Sequence, residues 1–138
     1  MTEASATSEH PTVGIVLISH SRAIAEGAAD VAAQVSAGAV RIVGVGGTED
    51  GRLGTSLDAL VGAVEKVSAG AGVVILPDLG SAVLTAKAYL ADQDGTEVMV
   101  ADAPFVEGAV AAAVTASGGA TLSEVVAAAE GARDVRKL

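Results

Sequence analysis

The chain has 138 residues, a length that suits one domain with a real core and leaves no room for a second. Apolar residues make up 51%, yet aromatics only 1%, Tyr89 and Phe105, and the net charge is −9. With no basic stripe and almost no rings to stack on bases, nucleic-acid binding is excluded, and an anionic membrane surface would repel the chain. Cysteine is absent, which removes disulfides, thiolate metal sites and a cysteine nucleophile.

Residues 1–12, MTEASATSEHPT, are polar and acidic, without the basic and apolar regions of a signal peptide, and are expected to form a disordered tail that includes His10. Four β-branched runs follow: Val13–Ile18, Val40–Val45, Val73–Leu76 and Val98–Ala101. The first and third are apolar on both faces, as parallel strands covered on both sides should be. Between them apolar residues recur at helical spacing. Ile24, Ala28, Val31 and Val35 set one helix, and Leu57, Leu60, Val61 and Val64 the next. A third helix is expected over residues 81–91; a fourth carries Val106, Val110 and Val114, and a fifth Leu122, Val125, Val126 and Ala129.

Two capping boxes, Thr55–Asp58 and Thr121–Glu124, mark helix starts. Gly38, Gly70, Gly95 and Gly118-Gly119 mark helix ends. Gly108–Ala120 is the most lipid-like stretch, but it is too short and too rich in alanine to span a bilayer. The order predicts an α/β domain over residues 13–133 with a short C-terminal tail, 134–138. Its expected architecture is an open, mostly parallel sheet of four or five strands with helices on both faces. A core of Val, Ile, Leu and Ala implies close approach of helix to sheet. A cytoplasmic location is expected.

In such a sheet, ligands bind beyond the carboxyl ends of the strands, where strand order reverses. The exit loops are therefore the place to look: Ser19-His20-Ser21-Arg22, Gly46–Ser56, Pro77–Ala82 and Asp102–Gly108. A lone histidine more often caps a strand end than performs chemistry. If strands 1 and 3 are neighbours, however, Asp78 can take the Nδ1–H of His20 and leave Nε2 as a lone-pair nucleophile. Asp78 would then also stabilise a cationic phosphoimidazole, and it would serve equally as a helix cap.

Ser21, Thr48, Thr55 and Ser81 lie near helix starts; singly each reads as a cap, and together they would hold a dianion. Arg22 is expected to be solvated, Glu49-Asp50 to form a solvated turn, and Glu107 to occupy a first helical turn. No dinucleotide fingerprint, P-loop lysine, nucleophile elbow or zinc set is present, and no cofactor is expected. What remains suits carriage of a phosphoryl group. A receiver-like domain phosphorylated on Asp78 is an alternative, but Ser19-His20-Ser21 stands where its acidic pair should be. A non-catalytic binding module is a further one.

Five motifs carry a resemblance across residues 13–130: Ile18-Ser19-His20-Ser21, Gly46-Gly47-Thr48-Glu49-Asp50-Gly51, Leu53-Gly54-Thr55-Ser56, Asp78-Leu79-Gly80-Ser81-Ala82 and Ala103–Ala109. They resemble the DhaM family, the phosphotransferase subunits of bacterial dihydroxyacetone kinases, which are similar to the EIIA domain of mannose permeases. Ser-His-Ser with Asp-Leu-Gly-Ser-Ala favours DhaM over mannose-type EIIA, which would hand its phosphoryl group to a sugar-specific EIIB. The resemblance implies a homodimer, phosphorylation of His20 by the carrier HPr, and transfer to ADP bound on DhaL. The ATP formed there would phosphorylate dihydroxyacetone presented by DhaK. A chain of this length resembles the single-domain form and would depend on separate HPr. Leu79, Pro104 and Phe105 are expected either to dock partners or to pack the loops.

Overall fold

The computed structural model describes residues 11–93 and 97–138. Four parallel strands, β1 (Gly14–Ser19), β2 (Ile42–Gly46), β3 (Val73–Pro77) and β4 (Val98–Val100), lie side by side in the order β2-β1-β3-β4. Helices α1 (Arg22–Val35), α2 (Leu57–Val67), α3 (Gly80–Asp92), α4 (Phe105–Ser117) and α5 (Leu122–Gly131) connect and flank them, ending in a short 3-10 turn at Ala132–Asp134. This is the open parallel α/β sheet expected, with four strands among the described residues. The N-terminal residues up to 10, with His10, and Gly95 lie outside them.

Every residue of β1 and β3 is buried, because both faces of the sheet are covered. On one face Val13, Ile15, Leu17, Val74 and Leu76 pack under α1, α4 and α5; on the other Val16, Ile18, Val73 and Ile75 pack under α2 and α3. Fully burying each such aliphatic side chain stabilises the fold by about 1.5–3 kcal/mol. The chain runs outward from β1 to β2 and, after crossing to β3, outward again to β4. The order thus reverses between β1 and β3, and a crevice opens at their carboxyl ends.

Three details differ from expectation. In α1 the sheet-facing residues are Ala25, Ala28 and Ala32, while Ile24, Val31 and Val35 are exposed. Likewise α4 buries Gly108, Ala109, Ala112, Ala113 and Ala116 and turns Val106 and Val114 outward. The cause is close approach: a Cβ on Gly44 of β2 would lie 2.4 Å from the carbonyl oxygen of Ala25, so only alanine fits beneath α1. In α2 it is Ser56 that caps, accepting from the Ala59 N–H at 3.2 Å, and Thr55 lies outside the helix with other partners. Thr121 and Glu124 do form the reciprocal capping box at α5.

The C-terminal segment is tied back at two places. Arg133 bridges to Asp102, and Lys137 pairs with Glu107 in the first turn of α4, which holds the Glu107 carboxyl below its usual range. No helix among the described residues is long and apolar enough to cross a membrane.

Candidate functional site

The site is built at the reversal point. Strand β1 ends in Ser19, β3 in Pro77, and the parallel pairing of Ile18 with Pro77 sets residues 19–20 beside residue 78. The Asp78 N–H completes the ladder by donating to the Ile18 carbonyl at 3.0 Å. From there the side chains meet. His20 Nδ1 lies 2.9 Å from Asp78 Oδ2; a carboxylate oxygen can only accept, so Nδ1 carries a proton, and in the neutral ring Nε2 keeps its lone pair.

Asp78 is the anchor. Its Oδ2 also accepts the Ser19 hydroxyl at 2.6 Å, and its Oδ1 the Leu79 N–H at 2.6 Å. With 7% of its side chain exposed, Asp78 feels a burial penalty that pushes its pKa up. The hydrogen bonds from Ser19, Leu79 and His20, with the attraction of the ring in its protonated form, outweigh that penalty and hold the carboxyl below its ordinary value of 3.8. The His20 side chain is 31% exposed, so it faces solvent at the rim while its partner stays covered. Asp78 does not cap α3, whose cap position is Leu79 with no side-chain bond.

The backbone of His20 is fixed as well. Its carbonyl accepts the Gly54 N–H at 2.8 Å, which brings the long β2–α2 loop against it. Gly46 closes the other side, since a Cβ there would lie 2.7 Å from the carbonyl oxygens of both Ser19 and Ser21. Only glycine lets β2 end so near the β1–α1 turn.

The four expected phosphate-binding hydroxyls divide into two pairs. Ser21 caps α1, accepting weakly from the Ile24 N–H at 3.4 Å. Ser81 lies in the exposed first turn of α3. Thr48 and Thr55 are spent on loop structure. The Thr48 hydroxyl bonds to Asp50 and accepts the Arg52 N–H, and Arg52 in turn pairs with Asp50, which lowers the Asp50 pKa. Thr55 shares a 2.6 Å hydrogen bond with Thr85 and reaches the Ser81 carbonyl, lacing the β2–α2 loop to α3.

Arg22 is exposed and lies near Glu26, as a solvated helix-start arginine would. A cleft of about 240 Å³ beside the His20 turn is lined by Ser21, Arg22, Gly46, Gly47, Arg52 and Leu53. Pro104 and Phe105 are partly buried, Phe105 against the α1/α4/α5 core, so they pack the loop that follows β4. Leu79, Leu53 and Ile24 are large apolar residues left exposed in the segments that form the site.

Sequence reasoning missed Ser19, Gly46 and Gly54 as parts of this arrangement. Ser19 had a signal: a hydroxyl ending an otherwise apolar, doubly covered strand must be buried, and a buried hydroxyl needs partners.

This geometry sits on a known family. Residues 14–126 match EIIA-man, described as the PTS system fructose IIA component, and the chain belongs to that family. Its similarity within the family runs to proteins named as phosphoryl donor subunit DhaM of PEP-dependent dihydroxyacetone kinases. It is 39% identical to one from Listeria innocua over 106 residues, covering 74% of this chain and 84% of that protein. It is 36% identical to one from Providencia stuartii over 120 residues, 83% of this chain but 25% of that protein, so it spans a quarter of the longer relative's length. Among solved structures it resembles the crystal structure of the unknown-function protein EF1359, with a TM-score of 0.78 and 31% identity over 87% of this chain and 94% of that one.

Proposed function

We propose that the chain is a phosphohistidine carrier in which His20 Nε2 accepts a phosphoryl group from HPr and delivers it to ADP bound on DhaL. The observation that carries this reading is the 2.9 Å bond from His20 Nδ1 to a buried, ionised Asp78, which leaves the other nitrogen of a partly exposed ring for the phosphoryl group. In the first step the Nε2 lone pair bonds to phosphorus as the N–P bond of the donor phosphohistidine breaks, and that donor ring recovers its electron pair. No proton has to move, because Nδ1 stays protonated. The phosphorylated ring is then cationic, and the Asp78 carboxylate neutralises it. In the second step a β-phosphate oxygen of ADP attacks, the N–P bond breaks, and Nε2 regains its lone pair as ATP forms. That ATP phosphorylates dihydroxyacetone presented by DhaK.

A loose phosphoryl transition state asks little of the protein beyond position and charge, and the site provides both. Ser21 and Ser81, together with the N-terminal amides of α1, are the groups we assign to the arriving phosphoryl oxygens. Exposed Leu53, next in the chain to Gly54, and Leu79, next to Asp78, are the apolar contacts we assign to the protein partners. The domain works as a homodimer in the cytoplasm, a reading supported by the resemblance to DhaM.

The test is incubation with phosphoenolpyruvate, enzyme I and HPr, following an added 80 Da mass. A chase then uses DhaL·ADP in one arm and a sugar-specific EIIB in the other. Uptake that is absent in His20→Ala and discharged by DhaL·ADP is the expected result. Discharge only by EIIB would make the chain a mannose-type EIIA, and a hydroxylamine-labile phosphate would point to Asp78 as acceptor.

A further inference from the structure

We propose that Ser19 is a positioning residue: through Asp78 its hydroxyl fixes the tautomer of His20 that leaves Nε2 unprotonated. The inference rests on the phosphohistidine reading and deepens it. Ser19 is fully buried at the end of β1, where a hydroxyl costs stability unless its hydrogen bonds are made. Both are made, and both serve the site. The hydroxyl donates to Asp78 Oδ2 at 2.6 Å, in the range of a charge-assisted bond, and it accepts the Ser21 N–H at 2.9 Å. One oxygen of Asp78 therefore receives both Ser19 and His20, and the same serine pins the backbone one residue beyond the histidine.

Removing the hydroxyl has two consequences. Oδ2 loses the partner that orients it toward the ring, so apart from the ring itself the carboxylate is restrained only by the Leu79 N–H at Oδ1. The turn carrying His20 loses the acceptor for Ser21. Either change weakens the preference for a proton on Nδ1. A serine kept merely to fill the strand end would be replaceable by a residue of similar size without touching the ring.

The experiment is long-range ¹H–¹⁵N NMR of the neutral His20 ring in the unphosphorylated protein, paired with its rate of phosphorylation by HPr. Three variants are compared with wild type: Ser19→Ala, Ser19→Cys and Ser19→Thr. Wild type and Ser19→Thr are expected to show the Nδ1–H form. Ser19→Ala and Ser19→Cys are expected to show a mixture with the Nε2–H form and uptake slower by about tenfold, the scale of one charge-assisted hydrogen bond. Cysteine fills the space with a weak donor, so it decides the matter if Ser19→Ala does not fold. A wild-type ring pattern in Ser19→Cys or Ser19→Ala, with wild-type uptake, would overturn the proposal. Wild type that takes up no phosphoryl group would instead defeat the functional reading, while the ring spectra still judge Ser19.

Discussion

At the scale of single residues, the site is one imidazole and one carboxylate arranged so that each settles the other's state. Asp78 is ionised because three donors converge on it, and His20 presents Nε2 because Asp78 occupies Nδ1. Asp78→Ala is expected to slow phosphoryl uptake by about 10²–10³-fold, the range for losing one orienting, charge-stabilising group, as measured by single-turnover transfer from HPr. The lowered carboxyl pKa also makes a prediction for stability. A group whose folded value lies below its unfolded one contributes fully above the unfolded value and loses that contribution as pH falls through the folded one. The stability difference between wild type and Asp78→Asn should therefore be largest above about pH 4 and shrink as the solution is acidified further, as followed by urea denaturation at stepped pH. An increase of that difference on acidification would contradict the assignment.

The pairing of residues 20 and 78 was conditionally legible in the sequence, since each directly follows a strand and only the adjacency of those strands was open. The roles of Thr48 and Thr55 were not. Nothing in their spacing tells that Asp50 and Thr85 would claim the two hydroxyls.

At the scale of elements, glycines decide how near the pieces can come. Gly46 lets the end of β2 lie against the turn that holds His20, and a methyl group there meets two backbone carbonyls at 2.7 Å. Gly46→Ala is expected to cost about 1–3 kcal/mol of stability, as overpacking does, and to slow uptake by moving the histidine turn. Gly62 is its control. It lies inside α2, where a Cβ would meet nothing within 4 Å, so Gly62→Ala should raise stability by about 0.5–1 kcal/mol and leave transfer unchanged. Thermal unfolding beside the phosphorylation assay checks both.

The same close packing explains what periodicity misjudged. Among the described residues, the four strands and five helices and their order along the chain follow the alternating β-branched runs and helical spacing, within an expectation of four or five strands. Which stripe of α1 or α4 faced inward did not, because hydrophobicity favours valine while the space under the helix admits only alanine. In α5, where three of the four apolar positions are leucine or valine, Leu122, Val125, Val126 and Ala129 are buried as expected.

At the scale of the whole molecule, the order β2-β1-β3-β4 puts the two fully buried strands in the centre, and their carboxyl ends support the histidine between crossovers that diverge. The general rule for open parallel sheets located this edge from sequence, but strand order needed coordinates. The surrounding charge of −9 gives a long-range field that attracts partners with basic faces. Raising salt from about 0.05 to 0.5 M should slow second-order transfer from HPr by about tenfold or more while leaving the fold intact, because only the encounter is screened. A salt-independent rate would remove electrostatic steering from the mechanism.

The phosphorylated species itself offers the most direct measurement. Protein charged by phosphoenolpyruvate, enzyme I and HPr, then examined by tandem mass spectrometry and ¹H–³¹P NMR, should carry one phosphoryl group on Nε2 of His20, with Nδ1 still protonated against Asp78. A phosphoryl group on Nδ1, or on any residue other than His20, would contradict it.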